Sequence, residues 1–217
     1  MMCSQYKKHA AIAALNYVSF DLVVGIGSGS TISYFIQVLS TVKNRLIGVI
    51  SSSNNTTFFL RQYGIRVCDI NTIFSPIIYI DSVDEINNNL ESVKGGGAAL
   101  TKEKIIASIS KKFICIIDQS KQVHTLGFFP VPLEIIPISY SYIKQEIIKL
   151  GGVVKYRYGI VTDNGNIVVD IYNLNLECPI LIENKINSLP GVVTVGLFTY
   201  RKPDVIVIGT KYGVKIL

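Results

Sequence analysis

The chain has 217 residues, a formal net charge of +6, and 17% charged against 49% hydrophobic residues. That length makes one large or two small domains with a sizeable core, and the composition excludes disorder. No run of basic residues exceeds two, which argues against a nucleic-acid surface, while the positive excess suits an anionic small molecule.

In chain order, residues 4–18 (SQYKKHAAIAALNYV) predict a helix with Ser4 as its N-cap. Lys7 and Lys8 fall in its first turn, where the helix dipole gives a cation nothing, so solvation is their default reading. Residues 22–42 carry no charge and are long enough to span a bilayer, but Gly25, Gly27, Gly29, several serines and Gln37 divide them. They resolve into a strand (LVVGIG), a glycine turn and a helix (STISYFIQVLS). LIGVISSS is the next strand, NNTTFFLRQYG a helix closed by Gly64, IRVCDI a short strand and SPIIYI another strand. This alternation predicts a mostly parallel sheet, and abundant isoleucine fits strands covered on both faces, as it equally fits a genomic base bias that also enriches Lys and Asn. A helix over 101–110 follows, then a strand in KFICIIDQSK whose end carries Asp118, Ser120 and Lys121.

At Gly127 the texture changes. GFFPVPLEIIP, rich in proline, predicts a crossing between domains. SYSYIKQEIIKLGG is an amphipathic helix ended by Gly151 and Gly152, and VVKYRYGIVTDNGNIVVDI a hairpin around Asp163-Asn164-Gly165. ECPILIENKINSLPG is a helix and VVTVGLF a strand, which completes a β-α-β-β-α-β order of ferredoxin-like type. RKPDVIVIGTKYGVKIL returns to the first sheet. The expected fold is α/β: an open, mostly parallel, Rossmann-like sheet with helices on both faces (1–127 and 201–217, the larger domain). A small α+β ferredoxin-like domain (128–200) is inserted before the final strands. Cys3, Cys68, Cys115 and Cys178 have no CxxC spacing, Cys115 sits in the apolar run FICII, and the N-terminus lacks a signal-peptide core. A soluble, cytoplasmic protein is expected, with no membrane and no nucleic-acid partner.

Two stretches carry chemistry. GIGSGST (25–31) joins a strand to a helix, so its amides and the helix N-terminus can hold an anion, with Ser28, Ser30 and Thr31 adding hydroxyls. It is neither a Walker A motif nor a dinucleotide fingerprint, and a plain tight turn explains it as well. Residues 81–103 (DSVDEINNNLESVKGGGAALTKE) follow an apolar strand with Asp81, Asp84, Glu85, Lys94, three glycines and Glu103. D-x-x-D-E admits a magnesium site, an N-cap or a pair for sugar hydroxyls; KGGG lets backbone approach a ligand beside the Lys94 charge. On spacing alone Glu103 is a helix-start glutamate.

VGIGSGST, SSSNNTT, IDSVDEIN, VKGGGAALTKEKI, FICIIDQSKQV, TDNGNIVVD and LPGVVTVGLF, in this order, resemble the type A ribose-5-phosphate isomerases over essentially the whole chain. The resemblance implies an isomerase without metal or cofactor, interconverting ribose 5-phosphate and ribulose 5-phosphate in the pentose phosphate pathway through an enediolate. It implies Glu103 as the base, and Lys94 with the amides of Gly95, Gly96 and Gly97 as the oxyanion partners. Asp81 and Asp84 would bind sugar hydroxyls and assist ring opening, within a substrate loop that includes Ser82 and Val83. Ser28, Gly29, Ser30 and Thr31 would hold the phosphate with Lys121, and Lys7 is a further candidate. A homodimer or tetramer is implied as well. This chain departs in having Ser28 for the family's usual Thr, and Ser82-Val83 where Gly-Ala is usual; a β-branched Val tolerates positive φ poorly. The alternatives are a non-catalytic, sugar-phosphate-sensing effector domain of related fold, for which the chain shows no DNA-binding module, and a CoA transferase, for which it shows no nucleophilic-glutamate motif.

Overall fold

The computed structural model describes residues 2–73 and 77–217, and side chains from residue 4 onward. Residue 1, the side chain of Cys3, and Ser75-Pro76 at the start of the expected SPIIYI strand lie outside the described residues. The first elements are α1 (Met2–Ala14), β1 (Val23–Ile26), α2 (Ser30–Ser40), β2 (Val49–Ser51), α3 (Asn54–Gln62) and β3 (Ile77–Asp81). Next come β4 (Glu85–Ile86), β5 (Ser92–Val93), α4 (Leu100–Ile109), β6 (Ser110–Asp118), β7 (Val131–Ile135), α5 (Tyr140–Lys149) and β8 (Val153–Val161). The chain closes with β9 (Ile167–Tyr172), α6 (Pro179–Asn187), β10 (Val192–Val195), β11 (Leu197–Phe198), β12 (Val205–Thr210) and β13 (Gly213–Ile216). Two compact units result. Met1–Ser82, Ile105–Lys121 and Pro203–Leu217 form the first; Val83–Lys104 and Gln122–Lys202 form the second.

The first unit is a six-stranded sheet in the order β13-β12-β6-β3-β1-β2, parallel except for β13 at one edge. Strands β1 and β3 are buried at every position, as an interior parallel sheet with both faces covered requires. Val24, Ile26, Ile80, Ile114 and Val207 pack on one face against Ala10 and Ala14 of α1, Phe35 and Leu39 of α2, and Leu60 of α3. On the other face Ile106 of α4 lies over Gly25, beside the mutually tilted rings of Tyr79 and Phe113, 5.0 Å apart. The expected sheet, with helices on both faces, is present, and β12–β13 rejoin it.

In the second unit, β10-β7-β9-β8 form an antiparallel sheet whose β-α-β-β-α-β order is the ferredoxin-like one. Leu133, Ile135, Val169 and Ile171 bury its face against Ile143 and Ile147 of α5 and Ile186 of α6. A small sheet, β11-β5-β4, adds residues 85–93 to this unit, so it takes in 83–104 and 122–127 besides 128–200.

Three local expectations fail. Helix α1 begins at Met2, so Ser4 lies inside it, and its hydroxyl meets Tyr34 Oη at 2.6 Å rather than capping. Residues 65–70 form no strand: Val67 makes only an isolated bridge to Val49. The proline-rich stretch 127–137 is not a plain crossing, because it contains β7, paired on both sides. Among the described residues no helix is long and apolar enough to cross a membrane, and Cys115 is a buried free thiol, as its apolar run implied.

Candidate active site

The candidate residues fall in both units, and each set is described within its own unit. In the first, the parallel strands β1, β2, β3 and β6 all end at one edge of the sheet. That edge carries the 27–31 turn, the serines 51–53, Asp81 and the 118–121 turn, where an open α/β sheet binds its ligands. Gly29, at φ 96°, caps α2 without a side chain, leaving the first amides of the helix for another acceptor. Lys7 is not merely solvated: its Nζ donates to Ser30 Oγ at 2.9 Å. Lys8 instead lies over the Tyr34 ring.

Asp81 is fully buried at the end of β3. Its Oδ1 accepts the amides of Ser28 (3.0 Å) and Ser82 (2.7 Å), and its Oδ2 accepts the hydroxyl of Tyr79. The neighbour that makes room is Gly27, where a Cβ would fall 1.8 Å from Asp81 Oδ1. Gly27 itself is held by its amide to Ile80 O and by Thr56 Oγ1 on its carbonyl, both at 2.9 Å. Thus Asp81 welds the glycine turn to the start of its own loop. Lys121 stands half-buried beyond the end of β6, with β3 between that strand and β1.

In the second unit, Asp84 follows the buried Val83 and bonds its amide to Val93 O at 2.9 Å. Its Oδ2 accepts the Gly96 amide at 2.8 Å, which ties the acid to the glycine loop. Among the described residues, positive φ outside glycine occurs only at Leu90, Ala98 and Asn173. Ser82-Val83 therefore imposes no left-handed strain on this chain.

Lys94 leaves β5 with its amide on Gly196 O (2.8 Å), and its Nζ lies 3.2 Å from Glu103 Oε2. Both side chains are nearly inaccessible, at 2% and 4% exposure. Glu103 is in the first turn of α4, where the helix dipole favours a carboxylate, and Phe198 lies 5.6 Å beneath the ammonium. A buried carboxylate paired with a buried ammonium behind a run of glycines can take up a proton and counter a developing negative charge.

Several participants had no local signal. Glu85 accepts the amides of Gly127 and Phe129, so it clamps the start of the 127–130 segment. Glu134, fully buried in β7, accepts from Thr101, Thr162, Asn164 and Asn166, tying the head of α4 to the hairpin turn. Lys104 donates to Glu183, Val195 O and Leu197 O and sits 4.8 Å from the Phe198 ring, holding β11 in place. Burial pulls its amine below the usual lysine range, with Glu183 opposing in part. Arg157 reaches the carbonyls of Gly95 and Gly96 from β8. A charge inside an apolar strand, as in VPLEI, is the one clue available to the sequence for Glu134.

Comparison with known proteins bears on this geometry directly. The family model for ribose 5-phosphate isomerase A (phosphoriboisomerase A) matches residues 48–213. A protein named ribose-5-phosphate isomerase A from Buchnera aphidicola subsp. Schizaphis graminum is 58% identical over the whole of this chain and 99% of its own length. The crystal structure of ribose 5 phosphate isomerase A from Neisseria gonorrhoeae superposes with a TM-score of 0.97 at 38% identity, covering 100% of this chain and 97% of that one. A D-ribose-5-phosphate isomerase solved in complex with phospho-erythronic acid gives a TM-score of 0.94 at 32% identity, covering 100% and 99%.

Proposed function

The chain belongs to the ribose 5-phosphate isomerase A family, and we propose that it interconverts D-ribose 5-phosphate and D-ribulose 5-phosphate through an enediolate, with Glu103 as the proton carrier. The observation that carries this reading is the buried Lys94–Glu103 pair at 3.2 Å. In the open-chain aldose, Glu103 removes the proton from C2 while the C1 carbonyl oxygen gains charge. Lys94 and the amides of Gly95 and Gly97 counter that charge, while the Gly96 amide donates to Asp84 Oδ2 at 2.8 Å. Glu103 then returns the proton to C1 as the hydroxyl proton at O2 passes to O1, leaving a ketone at C2. No oxidant or reductant is needed, since the reaction only moves hydrogen within the sugar.

The remaining roles follow the resemblance. Ser28, Gly29, Ser30 and Thr31 hold the phosphate at the head of α2. Lys7, bonded to Ser30, and Lys121 supply positive charge. Asp81 and Asp84, with Ser82 and Val83 between them, bind the sugar hydroxyls and assist ring opening. Phospho-erythronic acid, bound by the solved relative, combines a phosphate with a carboxylate, the charge pattern an enediolate phosphate presents.

A place in the pentose phosphate pathway, a cytoplasmic location and assembly as a homodimer or tetramer belong to the same proposal. The free thiols Cys68, Cys115 and Cys178 suit a reducing compartment, and light scattering of the purified protein decides the assembly. The decisive assay supplies ribose 5-phosphate and follows ribulose 5-phosphate. Glu103→Gln is expected to keep its fold and lose activity by about 10²-fold or more, the scale of a general base; near-normal turnover would overturn the assignment.

A further inference from the structure

We propose that Arg157, clamped by Asp170, is a positioning residue that sets the direction of the Gly96 and Gly97 amides and, through Gly96, the carboxylate of Asp84. This rests on the reading of residues 94–97 as the oxyanion-stabilising element. Arg157 is on β8 and Asp170 on the neighbouring β9. Arg157 Nε lies 2.9 Å from Asp170 Oδ2 and Nη2 bonds Asp170 Oδ1, so one edge of the guanidinium is locked. Its remaining nitrogen, Nη1, donates to Gly95 O at 3.0 Å and Gly96 O at 3.1 Å.

Those two carbonyls belong to successive peptide units. In a trans peptide the N–H points opposite to the C=O, so each carbonyl drawn to Arg157 turns the following amide away from it. The first such amide, Gly96 N–H, meets Asp84 Oδ2 at 2.8 Å, and the second is that of Gly97. The Gly95 carbonyl also accepts Ala98 N at 3.0 Å, which closes the turn. Three consecutive glycines have more backbone freedom than any other tripeptide, and pre-aimed amides are what stabilise a developing oxyanion. An external clamp answers that need. A bare strand-to-strand ion pair would be complete with Asp170 alone and gives no reason for one nitrogen to span two carbonyls.

Arginine suits the task because its planar fork presents donors on two edges and stays charged at any working pH. A cation on the carbonyl side also polarises the peptide, which strengthens its N–H as a donor on the far side. Lysine has a single ammonium and cannot hold Asp170 bidentately while spanning both carbonyls.

The test compares Arg157→Lys, Arg157→Ala and Asp170→Asn with wild type for kcat and KM on ribose 5-phosphate, normalised to folded protein by circular dichroism. Arg157→Ala is expected to lose kcat by about 10- to 100-fold, the cost of a slightly misplaced catalytic group, with KM changing by less than about threefold. Arg157→Lys should fail to restore it, and added methylguanidine should recover kcat in Arg157→Ala saturably. Unchanged kcat per folded molecule, or a loss confined to KM, overturns the proposal. Should Arg157→Ala not fold, Asp170→Asn decides, since it keeps the arginine and frees it to swing: reduced kcat supports the clamp and wild-type kcat refutes it. Glu103→Gln run in parallel separates the two readings. Inactive Glu103→Gln beside normal Arg157 variants sinks only this inference, whereas active Glu103→Gln sinks the site assignment beneath it.

Discussion

Replacing Gly27 by alanine tests the joint between the glycine turn and the carboxylate loop. The added methyl would fall 1.8 Å from Asp81 Oδ1, 1.9 Å from Cγ and 2.5 Å from Cβ. Rotating the Asp81 side chain relieves the first two contacts but not the third, because Cβ is fixed to the backbone. Gly27 cannot retreat either, since Ile80 O and Thr56 Oγ1 grip its amide and carbonyl at 2.9 Å. The ends of β1 and β3 must therefore part, and the buried Asp81 loses the amides of Ser28 and Ser82. Hydrogen bonds to a charged group are worth about 1.5–3 kcal/mol each, so the variant should lose about 3–6 kcal/mol. For a chain of this size that lowers Tm by about 6–24 °C, read by differential scanning calorimetry. A double-mutant cycle isolates the cause. In an Asp81→Gly background all three clashing atoms are gone, and Gly27→Ala should cost about 1 kcal/mol or less. Equal costs in the two backgrounds would refute the argument that Gly27 exists to admit Asp81.

Gly29→Ala is the contrasting case: nothing lies within 4 Å of its Cβ, but φ is +96°, so strain alone should cost about 1–3 kcal/mol in thermal melts. Glu134→Ala leaves Thr162, Asn164 and Asn166 without their buried acceptor; amide exchange in the 162–166 turn should accelerate, and unchanged exchange would contradict the hub. For Lys104, whose folded pKa is depressed by burial, the folded state sheds its proton before the unfolded chain does. The buried charge then costs stability at lower pH and is relieved as pH rises toward the ordinary lysine range. Urea midpoints should therefore show wild type gaining on Lys104→Met as pH rises toward 10.5, the ordinary lysine value, and a falling difference would reverse the sign. Activity should survive EDTA; loss restored by Mg²⁺ would point to a cation held by Asp81 and Asp84.

Much of this protein is written in short windows of its sequence. LVVGIG, SPIIYI and FICII are apolar at consecutive positions, and only a strand covered on both faces can use that pattern. The alternation with amphipathic helices then sets a parallel sheet, and TDNGN sets a hairpin. The specific run KGGGAALTKEKI carries the family resemblance and with it the roles given to Lys94 and Glu103. Local signals misled where tertiary pairing overruled them: Pro132 sits inside a paired strand, and 65–70 has β propensity but only one bridge to hold it.

The supports of the site had no such window. Arg157 and Gly95 are 62 residues apart, Lys104 and Glu183 are 79 apart, and Glu85 meets the 127–129 amides across more than 40 residues. Hydrophobic periodicity is a property of neighbouring residues and survives in the linear chain. A polar side chain's partner depends on which backbone groups folding leaves beside it, and strand order and loop packing alone decide that. The sequence by itself thus determined the core strands of the parallel sheet and the glycine turn. The tertiary structure decided that Asp81 is locked by Ser28, Ser82 and Tyr79, that Asp84 answers to Gly96, and that an arginine on a distant strand holds the glycine loop in place.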